Sequence, residues 1–136
     1  MIAGEVRRLL AGLGMDPDHG LLHHSQLGVG IDVEEVARWH DPAAALFTEA
    51  EHRHCQRMAR PAESYAGRWC AKEAVLKALS PFLTVGLRDI EIGSTGSGAP
   101  SATVRARWRG DLRVSIAHSP AVAVAVAIAV RDTRPL

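Results

Sequence analysis

Asp32 and Glu34 stand two residues apart in the segment Leu27-Gly28-Val29-Gly30-Ile31-Asp32-Val33-Glu34. On a β-strand that spacing sends both carboxylates to one face, and Gly28 and Gly30 leave the same face bare for something to approach closely. Two acids at a strand end are, on their own, most often a solvated polar turn. A third carboxylate, Glu73, interrupts the apolar stripe Ala62, Tyr65, Ala66, Trp69, Cys70, Leu76 of an expected helix, where its desolvation must be offset by a cation or by hydrogen bonds. Lys77, four residues on, is such a cation, and the plain account of the pair is a helix-surface contact worth about 0.3 kcal/mol. Three carboxylates and one Lys allow more. Hard oxygen ligands from two segments, with positions left for water and phosphate oxygens, are what Mg²⁺ requires when it binds together with its substrate.

His118 closes the pattern Leu112, Val114, Ile116, His118 and so lies on the apolar side of its strand, where a satisfied core or rim histidine is the ordinary expectation. His52 and His54 suggest zinc, but at i and i+2 of a helix they point apart, and no second ligand pair follows elsewhere. Gly96 and Gly98 do not form a phosphate-binding loop, because the segment leads into a strand rather than a helix; a hairpin connection is expected. Of the 16 Lys and Arg residues only Lys72 and Lys77 are Lys, which suggests positions where a compact ammonium is needed and a guanidinium would not serve.

The elements that must position these groups follow from periodicity. Ile2, Val6, Leu9, Leu10 and Leu13 predict a short amphipathic helix over residues 2–13, and the Asp-, Pro-, Gly- and His-rich residues 15–25 a linker. The main domain is expected over residues 26–136, beginning with the alternating strand above. Thr48 and Glu51 make a capping box opening a helix to about Arg60, and Pro61 opens another that Pro81 closes. Strands are expected over Val85–Ile92, Ala102–Trp108, Leu112–His118 and Ala121–Val130. In the last of these Ala alternates with Val and Ile, so one face is bulky and the other admits close packing. Helices gathered in the first half and strands in the second predict an α+β fold, an antiparallel sheet with helices packed on one face.

Composition bounds the answer. The 136 residues, 47% hydrophobic and 23% charged, suit one packed domain rather than disorder or several domains. A formal charge of +1 gives no bulk reason to expect a nucleic-acid or membrane partner, so anion recognition must be local. The run Ala121–Val130 is too short for a spanning helix, and the first residues lack the pattern of a secretory signal, so the cytoplasm is expected. Cys55 and Cys70 read as reduced packing residues.

Four stretches taken in order, Gly30-Ile31-Asp32-Val33-Glu34-Glu35-Val36, Ala66-Gly67-Arg68-Trp69-Cys70-Ala71-Lys72-Glu73-Ala74-Val75-Leu76-Lys77-Ala78, Asp89-Ile90-Glu91-Ile92 and Val114-Ser115-Ile116-Ala117-His118-Ser119, resemble the motifs of 4′-phosphopantetheinyl transferases. The resemblance spans about residues 27–131. The single-unit length, the Gly98-Ala99-Pro100 turn and the terminal strand look most like the holo-acyl-carrier-protein synthase type.

The resemblance implies transfer of the phosphopantetheine arm of coenzyme A to a serine of an apo acyl or peptidyl carrier protein, with Mg²⁺ bound and 3′,5′-ADP released. It implies Asp32 and Glu73 as ligands of the metal, Lys77 on the diphosphate, Arg68 on a terminal phosphate, and His118 and Ser115 at the coenzyme. Glu73, or a water on the metal, is the base for the serine hydroxyl. Short members resemble homotrimers with sites formed between neighbours. Rival accounts are a catalytically silent carrier- or coenzyme-binding module and a metal-dependent phosphohydrolase.

Two departures stand out. Glu34 looks like the third metal ligand of longer, two-unit members, whereas short members have an apolar residue there and an acid one place later; this chain has both Glu34 and Glu35. Ser80-Pro81-Phe82 also follows where the family usually has Gly. The first 25 residues lie outside the pattern.

Overall fold

The computed structural model of the chain describes residues 26–135, together with Arg8. The helix expected over residues 2–13 and the linker after it lie outside the described residues, Arg8 excepted. In chain order the elements are β1 (Leu27–Glu35), helical turns at Val36–Trp39 and Ala44–Leu46, α1 (Glu49–Arg57) and α2 (Pro61–Leu79). A turn at Leu87–Asp89 then leads to β2 (Ile90–Ser94), β3 (Pro100–Val104), β4 (Gly110–His118) and β5 (Val122–Arg131). Three strands form an antiparallel sheet in the order β1-β5-β4, and β2 and β3 form a separate hairpin. This is the expected α+β arrangement.

Register decides which side chains meet the helix. Gly28, Gly30, Asp32 and Glu34 lie opposite Ala129, Ala127, Ala125 and Ala123 of β5, while Ile116 and His118 of β4 face Ala125 and Ala123 from the other side. All therefore share one face of the sheet, and α2 lies across it. The small residues are what allow this. A Cβ added to Gly28 would collide with the carbonyl oxygen of Ala78, so helix and strand meet backbone to backbone. The bulky face of the sheet is the outer one in the single chain: Val29, Ile31 and Val33 are 59%, 56% and 60% exposed.

Helix α2 is not the one-striped helix that its sequence suggests. Tyr65, Ala66, Gly67, Arg68, Cys70, Ala71, Lys72, Ala74, Val75, Ala78 and Leu79 are all buried, because the three-stranded sheet covers one side and α1 with β2 covers the other. The predicted capping box is present: Glu51 N donates to Thr48 Oγ1 at 3.2 Å and Thr48 N to Glu51 Oε1 at 2.8 Å. The helix it opens ends at Arg57 rather than Arg60. The strand expected from Val85 starts only at Ile90, since Asp89 N donates to Gly86 O at 3.0 Å and Gly86 N to Asp89 Oδ2 at 3.1 Å, closing a turn first. Strand β3 stops at Val104 rather than Trp108, where Trp108 N turns back onto Ala106 O at 2.9 Å.

Candidate active site

The contact of β1 with α2 brings Asp32 and Lys77 together across 45 residues of chain. Lys77 Nζ donates to Asp32 Oδ1 at 3.2 Å and to the Ile31 carbonyl at 2.9 Å. The carboxylate that Lys77 hydrogen-bonds is thus Asp32 on the strand rather than Glu73 on its own helix. Asp32 Oδ2 is buried and has no hydrogen-bond partner among the described residues. Glu73, one turn before Lys77 and half-buried, has its pKa raised above the ordinary carboxylate range. Burial is the main cause and the Asp32 charge the next; Lys77 opposes both, and Glu34 adds a further push upward. Glu73 therefore feels two further carboxylates, Asp32 and Glu34, and one ammonium, Lys77. Glu34 is held by its neighbour in the core, its Oε2 accepting from Trp39 Nε1 at 3.3 Å.

Cys70 lies on the helix beneath this cluster and donates from Sγ to the Ala123 carbonyl at 3.4 Å. Burial, reinforced by the charges of Asp32 and Glu34, pushes its thiol up to about 12, so it is packing rather than a nucleophile.

Among the described residues no three His, Cys, Asp or Glu side chains converge into a ready-made metal cage. The donor set nevertheless fits a hard divalent cation that takes part of its shell from a bound ligand. Its oxygens are carboxylates on two elements, the cluster has an excess of negative charge, and one buried oxygen of Asp32 lacks a partner.

A cavity of about 450 Å³ opens at the N-terminal half of α2, where Arg60, Glu63, Arg68, Ser94, Ile116 and His118 form part of its wall. Arg68 is 8% exposed and its Nε has no hydrogen-bond partner among the described residues; burial is the main influence lowering its pKa from the ordinary arginine value. His118 Nδ1 is 2.9 Å from Glu63 Oε2, and Arg60 Nη1 reaches Glu63 Oε1 at 3.4 Å. Glu63 does not figure among the residues singled out from sequence. It lies off the apolar stripe and 55 positions from its partner, so no local pattern marks it.

Ser115 is not brought to this place. Its register opposite Val126 puts it on the outer face of the sheet, opposite to the face that bears His118. His52 has both ring nitrogens engaged, Nδ1 with the Tyr65 hydroxyl at 2.9 Å and Nε2 with the Ala44 carbonyl at 3.1 Å.

The sequence profile of the 4′-phosphopantetheinyl transferase superfamily matches residues 28–129. The fatty acid synthase subunit alpha of Candida parapsilosis is 38% identical over 122 residues, covering 79% of this chain but 6% of that much longer protein. The holo-[acyl-carrier-protein] synthase of Moorella thermoacetica is 36% identical over 122 residues, covering 75% of this chain and 92% of the relative. The crystal structure of a holo-(acyl-carrier-protein) synthase from Bacillus anthracis in complex with CoA (3′,5′-ADP) superposes with a TM-score of 0.65 at 29% identity, over 77% of this chain and 96% of that one. With helix α2 and strand β4 inside the matched span, β1 and β5 inside it except for their outermost residues, and Asp32, Glu73 and Lys77 gathered where β1 meets α2, the chain belongs to the 4′-phosphopantetheinyl transferase superfamily, in its holo-acyl-carrier-protein synthase branch.

Proposed function

We propose that the chain transfers the 4′-phosphopantetheine arm of coenzyme A to a serine of an apo carrier protein and releases 3′,5′-ADP. The observation that carries this reading is the meeting of Asp32 and Lys77, beside Glu73, at the contact of β1 and α2. The names of the relatives support it, and the match to fatty acid synthase alpha subunits favours carriers of fatty-acid synthesis, with polyketide and peptidyl carriers as further candidates.

In this reaction the serine oxygen attacks the phosphorus that bears pantetheine, the bond from that phosphorus to the bridging oxygen of the diphosphate breaks, and the serine proton leaves. Little covalent chemistry falls to the protein, which acts by placing the reactants in line and countering charge. Asp32 and Glu73, with Glu34 from the same strand face, would hold Mg²⁺, which supplies neutralisation of the diphosphate when bound. Lys77 sits on Asp32 as a compact ammonium on a flexible stem, free to turn toward the leaving oxygen. Glu73, with its raised pKa, is suited to take the serine proton. Arg68 and His118 line the cavity at the N-terminal half of α2, Arg68 with a guanidinium suited to a phosphate and His118 with an imidazole for the coenzyme.

Residues 26–136 form the transferase domain in this account, and residues 1–25 an extension to it. We further assign a homotrimer. The outer face bearing Val29, Ile31, Val33, Val126, Ile128 and Val130 is the kind of contiguous apolar surface that association covers, and Ser115 lies on that face, where a neighbour's site would reach it. The chain is assigned to the cytoplasm; among the described residues no helix is long and apolar enough to cross a membrane.

Incubation with coenzyme A, Mg²⁺ and apo carrier proteins, followed by mass measurement of the carrier, tests the activity. The expected result is addition of one phosphopantetheine group. No addition to any carrier removes the reading, and release of 3′,5′-ADP without a carrier replaces it with hydrolysis.

A further inference from the structure

We infer that Glu63 is a positioning residue for His118, an assignment that rests on the transferase reading above. Glu63 is 7% exposed, in the first turn of α2, and both of its oxygens are committed: Oε2 to His118 Nδ1 at 2.9 Å, and Oε1 to Arg60 Nη1 at 3.4 Å. An ionised carboxylate only accepts, so the hydrogen must sit on Nδ1, and Nε2 is left as the free nitrogen of the ring. His118 is the last residue of β4, and its side chain is 48% exposed. Untethered, an imidazole in that place would interchange tautomers and rotamers. The bond to a nearly buried carboxylate removes that freedom, and solvent-exposed Arg60 adds a long contact of 3.4 Å to the other carboxylate oxygen.

The surroundings argue that the pair serves a ligand. Glu63 and His118 both line the 450 Å³ cavity, and buried Arg68, whose Nε has no partner among the described residues, lines it too. A carboxylate on the wall of a cavity that receives phosphate repels the ligand, and Glu63 makes no bond to Arg68 that would cancel this. Its contribution is instead orientation: whichever protonation state the ring takes, the atom presented to coenzyme or serine is Nε2, as donor when the ring is charged and as acceptor when it is neutral. The step from Glu63 to the reaction runs wholly through His118.

The test combines long-range ¹H–¹⁵N NMR of the His118 ring in the full chain with kinetics of Glu63→Ala, Glu63→Gln and His118→Ala. The wild type is expected to show hydrogen on Nδ1 and Glu63→Ala to lose that preference. Glu63→Ala should lower kcat/KM for coenzyme A by roughly 10- to 100-fold, the range typical of lost orienting partners. Glu63→Gln, whose carbonyl can still accept from Nδ1, should recover most of the loss, and the double variant Glu63→Ala with His118→Ala should be no worse than His118→Ala alone. An unchanged tautomer in Glu63→Ala, or losses that simply add in the double variant, overturns the assignment. The NMR measurement needs no carrier, so failure of the transferase reading and failure of the Glu63 assignment are told apart.

Discussion

The carbonyl of Ala74 on α2 occupies the space that a side chain on Gly30 of β1 would fill. A Cβ there would collide with the Ala74 oxygen and come within 2.8 Å of the Ala78 nitrogen, so both neighbours are backbone and neither can rotate away. This contact is also what positions the site, since Asp32 lies two residues beyond Gly30 and Glu73 lies next to Ala74. Gly30→Ala is therefore expected to force strand and helix apart, at a cost of about 3 kcal/mol or more, and to lower the melting temperature by over about 10 °C. Gly96→Ala, with nothing among the described residues within 4 Å of the added carbon, should change it little. Thermal unfolding of the two variants beside wild type checks the claim, and equal melting temperatures refute it.

Glu73 should oppose the fold that carries it. Its pKa is raised by burial and by the Asp32 charge, against the pull of Lys77 and with a further push from Glu34. For a carboxylate raised in the folded state, the favourable contribution is fully present below its unfolded pKa and is lost as pH rises through the folded value; at neutral pH the ionised group is a cost. Glu73→Gln should therefore raise the melting temperature at pH 7–8 of the metal-free protein, by up to about 4 °C, with the gain vanishing near pH 4. Millimolar Mg²⁺ should raise the wild-type value and leave the variant unmoved, because a cation that binds the folded state stabilises it. Destabilisation by Glu73→Gln at neutral pH would contradict the assigned repulsion.

Lys72 is buried, and its Nζ donates to Glu51 Oε1 at 2.6 Å, while Glu51 Oε2 accepts from Ile92 N at 2.8 Å. One carboxylate thus caps α1, neutralises a lysine on α2 and ends at β2. Lys72→Met leaves Glu51 buried without its cation, for which about 3–5 kcal/mol is the usual loss. Adding Glu51→Gln should recover part of it. Chemical denaturation of both variants measures this, and additive losses would show that the pair is not coupled.

What the sequence discloses and what it hides follow one rule. Asp32 and Glu34 are readable on one strand face because a period of two is local, and Thr48 with Glu51 is readable as a cap for the same reason. That Glu51 also neutralises Lys72 is hidden, since a capping glutamate ordinarily faces water. The Lys77 case is sharper: the local rule pairs it with Glu73, whereas tertiary packing supplies Asp32 from 45 residues away. Helix α2 reads as one-sided because Glu63, Arg68 and Lys72 break its apolar pattern, yet all three are buried with the rest. The Glu63–His118 pair depends on where β4 ends relative to the start of α2, which no spacing within either segment encodes.

Glu34 offers the most discriminating measurement at the site. It shares a sheet face with Asp32, and its charge contributes to the raised pKa of Glu73, both of which place its carboxylate close enough to matter for a cation there. Its Oε2 is meanwhile held by Trp39 at 3.3 Å, which leaves Oε1 as the available donor. If Glu34 is a third oxygen ligand, Glu34→Ala should raise the Mg²⁺ concentration for half-maximal transfer by roughly tenfold, equivalent to about 1.4 kcal/mol, with the rate at saturating Mg²⁺ largely kept. Trp39→Phe, which frees Oε2 and keeps the aromatic packing against Phe47 and Trp69, should leave the requirement unchanged or lower it. An unaltered Mg²⁺ requirement in Glu34→Ala would reduce the protein's share of the metal shell to Asp32 and Glu73. Glu34 would then be a partner of the Trp39 indole and nothing more.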